Sequence, residues 1–196
     1  MKNSRLQKFS LGVVILLGLL FFVWASGWGS LWINGISHAA NNTEDFYHHP
    51  VPIDGEYTVE IDLSDLDSNE GKVLYRDEDR HIFISKVTMN DSVYEVTFRS
   101  FGTYGLNNAM LVSGIEHGQS MNGYKSELQA EAHAEYKGVS YDLDPSGSTG
   151  LIHRDGDEFS FYLNPSGEID LDLNEEPIIE VTVSNLVANL WVETPQ

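Results

Sequence analysis

The chain has 196 residues, with 30 Asp or Glu against 11 Lys or Arg for a formal net charge of −19, and it contains no cysteine. A length that suits one domain, with 41% hydrophobic and 11% aromatic residues, excludes a disordered tail. Absent thiols exclude a disulfide framework, a thiolate zinc site, an iron–sulfur cluster and a cysteine nucleophile, and the acidity opposes nucleic acids, whose binding needs cationic side chains to release counterions.

In chain order, residues 1–9 form a basic start carrying Lys2, Arg5 and Lys8, expected on the cytoplasmic side. Residues 10–33 follow as an apolar run from Leu11 through Trp24 to Ile33, and positions 9–43 hold no Asp, Glu, Lys or Arg. A basic start before such a run is an export or membrane signal. Two readings stay open. In the first, residues 11–33 are an uncleaved anchor, because 23 residues at ~1.5 Å each span ~30 Å of hydrocarbon. Trp24, Trp28 and Trp32 then share one helix face as an aromatic belt at the outer interface. In the second, a signal peptide is cut after the small residues Ser37 and Ala39, or earlier at Ala25, Ser26 and Gly27. Either way the segment is the partner of a membrane, and the body is extracytoplasmic, single-pass with its C-terminus outside or secreted after cleavage. Beyond Ala39 all 30 acids meet the remaining eight basic residues, so the outer part carries a formal −22. An exported chain without cysteine fits a bacterial surface protein better than a eukaryotic secreted module.

Residues 34–52 read as a linker, polar and His-bearing from Asn41 onward, in which Pro50 and Pro52 favour extended backbone. Residues 53–196 then read as one acidic domain with a strand period of two. Tyr57, Val59, Ile61 and Leu63 alternate with Thr58, Glu60, Asp62 and Ser64. The pattern recurs at Tyr94, Val96 and Phe98, at Phe159, Phe161 and Leu163, at Ile169, Leu171 and Leu173, and at Ile179, Val181 and Val183. Residues 81–87 form a weaker run. Turn residues fall between the runs at Asp54-Gly55, Asn90-Asp91, Asn122-Gly123, Lys137-Gly138 and Asp155-Gly156, which predicts hairpins reversing near residues 89–91 and 155–156.

Residues 127–137 satisfy two periods. Ser126 with Gln129 and the closing Gly138 fit a helix, but that helix stacks Glu127, Glu131 and Glu135 at like-charge spacing. The polar and apolar residues separate completely at period two, so a strand is expected. The fold class is therefore all-β, an antiparallel β-sandwich or barrel-like meander preceded by one N-terminal hydrophobic membrane or signal helix.

Calcium is the first candidate cofactor, because hard cations want clustered oxygens. Asp65, Asp67 and Asn69 are spaced two apart before Gly71, and Asp142, Asp144 and Ser146 are spaced likewise before Gly147. Both resemble the opening of an EF-hand loop and both lack its closing Glu, since Arg76 and His153 stand at the twelfth positions. Turns capped by their own side chains give the same pattern. Glu131, His133 and Glu135 share one strand face, which reads as a solvated surface. The glycine-rich stretch 100–125, with Tyr104, Asn107, Asn108 and His117, combines backbone freedom with amide and aromatic groups and is the candidate ligand site for a polar molecule such as a glycan. A plainer reading makes residues 109–112 one more buried strand and the glycines turns.

No Gly-x-Ser-x-Gly, His-Glu-x-x-His or phosphate-cradling loop is present. These readings favour a non-catalytic binding or structural module for an envelope component or cations. The alternatives are an exported hydrolase of glycans or peptides that works through carboxylates, and a domain whose acidity alone holds divalent ions.

Overall fold

The computed structural model describes residues 12–19, 21, 22, 24, 28–120, 123–164 and 176–195. The basic start 1–9 and the strand expected at Ile169, Leu171 and Leu173 lie outside the described residues. Two short helices, α1 (Trp28–Asn34) and α2 (Ile36–Asn41), precede β1 (Phe46–Ile53), β2 (Tyr57–Asp62) and a 3₁₀ turn (Leu66–Asn69). Then come β3 (Val73–Asp77), β4 (Arg80–Asn90), β5 (Val93–Phe101), β6 (Thr103–Tyr104), β7 (Asn108–Ser113), β8 (Ile115–Ser120) and β9 (Gly123–Leu128). The chain closes with β10 (Glu131–Tyr136), β11 (Val139–Asp142), β12 (Pro145–Ser148), β13 (Glu158–Tyr162), β14 (Ile178–Ser184) and β15 (Leu186–Glu193). Among the described residues no helix is long and apolar enough to cross a membrane.

The fold is all-β, and every pairing between named strands is antiparallel. Three larger sheets run β1-β15-β7-β6, β11-β10-β14-β2 and β12-β13-β5-β4-β3, and β8 pairs with β9 alone. Tight reversals use the residues expected of them. Asp91 and Ser92 (φ 47° and 68°) turn β4 into β5, and Lys137 and Gly138 (φ 50° and 74°) turn β10 into β11. Two successive left-handed residues match the right-handed twist of the flanking strands. Asp155 and Gly156 lie in a smaller reversal closed by His153 N–H to Gly156 O at 3.1 Å, inside the connection from β12 to β13.

Residues 127–136 form strand on either side of a break at 129–130, in keeping with their period-two pattern, and Lys137 begins the turn. Gly114 O accepts both Gln129 N–H and Ala130 N–H, at 2.8 and 2.9 Å, which breaks the run into β9 and β10. Ala132, Ala134 and Tyr136 are buried along β10, and Glu131 and Glu135 are exposed.

The linker reading of residues 34–52 gives way to ordered structure. Phe46–Ile53 is β1, paired with β15 from Phe46↔Glu193 to Ile53↔Leu186. Pro50 and Pro52 are accommodated because β1 is an edge strand, and alternate residues of an edge strand turn their N–H positions away from the partner. Ile36, Ala39 and Ala40 of α2 are buried with Phe46, Ala109, Leu111 and Trp191 in a smaller interior.

The main interior draws Val59, Ile61, Ala134, Ile179, Val181 and Val183 from the β11-β10-β14-β2 sheet and Ile82, Ile84, Val96, Phe98, Phe159 and Phe161 from the five-stranded sheet. Burying one of these valine, isoleucine or phenylalanine side chains contributes about 1.5–3 kcal/mol. The ribbon β1-β2 against β15-β14 passes from one sheet to the next at residues 54–56 and at Asn185, a left-handed residue (φ 57°) standing alone between β14 and β15.

Candidate functional site

Register across β4, β5 and β13 builds a row of polar side chains on the face away from the core. Thr88 stands opposite Glu95, and Glu95 opposite Tyr162. Directly opposed residues project to the same side of a sheet, so these three are neighbours, and Tyr94, Val96 and Phe161 turn inward. Asn164 holds the β4–β5 reversal in place: its Oδ1 accepts Tyr94 N–H at 2.7 Å and its Nδ2 donates to Ser92 O at 2.9 Å. Tyr162 N–H donates to Asp144 O at 2.9 Å, which brings the segment before β12 alongside. Ser146 Oγ donates to Glu95 Oε1 at 2.6 Å.

The result is a groove of about 540 Å³ lined by Thr88, Asn90, Asp91, Val93, Glu95, Asp144 and Tyr162. Three carboxylates and a tyrosine face it, and no lining side chain is basic. Carboxylates accept hydrogen bonds from hydroxyl and ammonium groups, and an aromatic face stacks on a sugar ring or attracts a cation. The acids are spread along the walls: among the described residues no group of three or more His, Asp or Glu is arranged to hold a metal ion. Tyr141, whose hydroxyl donates to Leu163 O at 2.8 Å where β13 ends, is pushed up to about 12 by burial and stays a neutral donor.

Of the residues singled out by spacing, Asp144 lines this groove and Ser146 orients its Glu95, whereas Asp142 is exposed at the end of β11, paired with His133. The other set behaves differently. Asp65 and Asp67 are exposed, and Asn69 is buried at the end of the 3₁₀ turn. Its Oδ1 accepts Asp62 N–H and the Lys72 ammonium, both at 2.8 Å, and its Nδ2 donates to Asp62 O at 2.7 Å, with Asp65 O and Leu66 O nearby. Lys72 also donates to Glu60 O at 3.0 Å, so a lysine cation already occupies Asn69 Oδ1.

The stretch 100–125 is mostly strand. Tyr104 is on β6, packed on the smaller interior with the Arg154 guanidinium 5.9 Å from its ring centre. Asn107 and Asn108 are exposed at the β6–β7 reversal, where Gly105 N–H donates to Asn108 O at 2.7 Å. His117 is instead inside, on β8. Gly114 supplies close packing and not freedom, since a Cβ there would lie 2.8 Å from Ala130 Cβ and 3.0 Å from the Phe159 ring.

His117 is part of a buried polar chain that no local motif announces. Its Nε2 is 2.5 Å from Asp157 Oδ2, and both side chains are 0% exposed. A carboxylate only accepts, so Nε2 carries the proton, and in the neutral ring Nδ1 accepts from Ser126 Oγ at 3.1 Å. Ser113 Oγ donates to Asp157 at 2.7 Å, and Asn189 Oδ1 accepts His117 N–H at 2.8 Å while its Nδ2 donates to Ile115 O. The order carboxylate, imidazole, hydroxyl is that of an activated serine. Here His117 and Asp157 are sealed from solvent and Ser126 does not line the acidic groove. The chain of bonds ties the β8–β9 hairpin to the body. His48 Nε2 approaches the same Asn189 at 3.2 Å, and burial holds its imidazole below the usual value.

No protein-family model, curated protein or solved structure matches this chain.

Proposed function

We propose that this chain is an extracytoplasmic β-domain held at a membrane by its apolar N-terminal segment, and that it binds, without chemistry, a hydroxyl-rich or cationic component of the cell envelope. The observation that carries the binding role is the groove in which Asp91, Glu95 and Asp144 meet Tyr162 and none of the described lining residues is basic. The spread of the acids favours an extended polar ligand over a bare ion. The scaffold is a β-sandwich, supported by the main interior that two sheets share. Of the two cleavage positions, the one after Ala39 is disfavoured, because it would strip Ile36 from a filled interior, whereas a cut at residues 25–27 leaves Ile36 in place; the uncleaved anchor is kept as the leading reading.

The test is melting of the full chain in lipid nanodiscs with oligosaccharide fragments of envelope glycans, with spermidine and with calcium as separate probes. A midpoint that rises with probe concentration, and no longer does so in Glu95→Gln and Asp144→Asn, is expected for the glycan or spermidine. No response to any probe, or one kept by both variants, overturns the groove. The exported hydrolase stays as the second reading, because carboxylates beside an aromatic ring in a groove are what glycoside cleavage uses. Release of reducing ends from the same oligosaccharides, lost in Glu95→Gln, would install it instead.

A further inference from the structure

The turn between α1 and α2 is fitted to the body. Gly35 has φ 56°, and a Cβ on it would lie 1.8 Å from Arg154 O, so backbone fills the space a side chain would take. Ile36 N–H donates to Arg154 O at 2.9 Å, and Ser37 Oγ donates to Leu151 O at 3.2 Å. The Arg154 guanidinium returns to Trp32 O at 3.2 Å. α2 is thereby part of the interior and α1 is held against the 151–154 segment. Much of what that assembly exposes is apolar, with Asn34 and Arg154 among its exposed polar residues. Trp28, Trp32 and Ile33 are 56%, 75% and 73% exposed, and Ile152, between the two residues that grip α1 and α2, is 62% exposed. Leu31 is the buried residue of α1.

Trp28 and Trp32 are four apart and share a helix face. Tryptophan at the border of an apolar run belongs at the headgroup level of a bilayer, where the ring is buried and its N–H is hydrated. A lipid bilayer is the occupant that continuity of sequence favours: the described residues 12–19, 21, 22 and 24, which precede α1, are helical, uncharged and exposed. We propose that α1 with Ile152 and Arg154 is a membrane-resting surface, which seats the β-domain directly on the outer lipid interface with Trp28, Trp32, Ile33 and Ile152 in the headgroup boundary and Arg154 at the phosphates. The proposal rests on the membrane reading above and deepens it: the domain is docked on the bilayer and does not hang from a spacer.

The chain has no cysteine, so Ile152→Cys is a unique attachment point for an environment-sensitive bimane label. The labelled full chain is reconstituted in phosphatidylcholine vesicles, with and without brominated acyl chains. Val139→Cys on β11, 59% exposed, is the reference. Docking predicts a blue-shifted label at 152 that brominated lipid quenches, and a label at 139 that it does not. Gly35→Ala unseats the α1–α2 turn and is expected to abolish the quenching at 152 while the chain still sediments with the vesicles. A chain that sediments with a water-exposed label at 152 overturns the docking alone, and a chain that alkaline carbonate removes from the vesicles overturns the anchor and the docking together.

Discussion

Two segments of this chain carry oxygen-bearing side chains at the same spacing, Asp65, Asp67 and Asn69 in one and Asp142, Asp144 and Ser146 in the other, and the fold spends them in opposite ways. Around Asn69 the backbone turns in on itself, and the side-chain oxygen is consumed by Asp62 N–H and the Lys72 ammonium. At Asp144 the backbone is bonded to the end of β13, and the carboxylate opens into a groove with Glu95 and Asp91. Spacing alone does not make a binding site. What decides is whether the surrounding chain leaves the oxygens unspent, and a lysine three residues on from Asn69 is enough to close one of the two.

The largest way to break the comparison is Asn69→Ala. It removes a buried amide and orphans Asp62 N–H, so an expected loss of about 2–4 kcal/mol appears in chemical denaturation. A loss no greater than that of a surface substitution would mean the closed loop is not a structural unit. Lys72→Met comes next, at about 1 kcal/mol, because one donor to Asn69 and one to Glu60 O disappear. Calcium is expected to restore none of it, since Asn69 keeps the orientation set by Asp62; recovery with calcium in the melting midpoint would show that the two segments differ only in the lysine. Asp142→Asn and Asp144→Asn are each expected to change stability by no more than ~0.5 kcal/mol. They separate in binding, where Asp144→Asn abolishes the ligand-dependent rise in melting and Asp142→Asn retains it.

The smallest effect is in pH. The Ser64 hydroxyl and backbone N–H bond to Asp62 and hold its carboxyl below the ordinary 3.8. A group whose acidity is strengthened on folding contributes stability above the unfolded value, and that contribution disappears as pH falls through the folded one. Melting of the wild type is therefore expected to drop more steeply below pH 3.8 than that of Asp62→Asn, and parallel curves would remove Asp62 from the loop's support.

Much of the fold was legible because side chains on a strand with one buried face must alternate. β2, β5, β13 and β14 are found where that alternation is cleanest, and β10 is extended in spite of good helix formers. β1 was hidden by its prolines, which an edge position tolerates and a local reading cannot foresee. β15 was hidden by its continuous burial from Leu186 to Asn189, since a strand covered on both sides shows no period. In the groove, Asp144 and Ser146 were visible through their spacing. Glu95, Asp91 and Tyr162 were visible only as outward members of strands or a turn residue, and what joins them is register, which a slip of one residue would reverse. The His117 and Asp157 pair is 40 residues apart in sequence and leaves no local mark.

The long ribbon that joins β1 to β15 also sets an order of events. His48 and Asn189 meet across 141 residues, and His48 has this partner only once β15 is in place. Closing so wide a loop costs chain entropy before any contact repays it, so this pairing is slow to form compared with the β4–β5 and β10–β11 hairpins. During synthesis β1 waits, with Phe46 and Ile53 uncovered, until the segment 186–193 has emerged. In that interval residues 46–53 are an unpaired strand edge that a chaperone would have to cover.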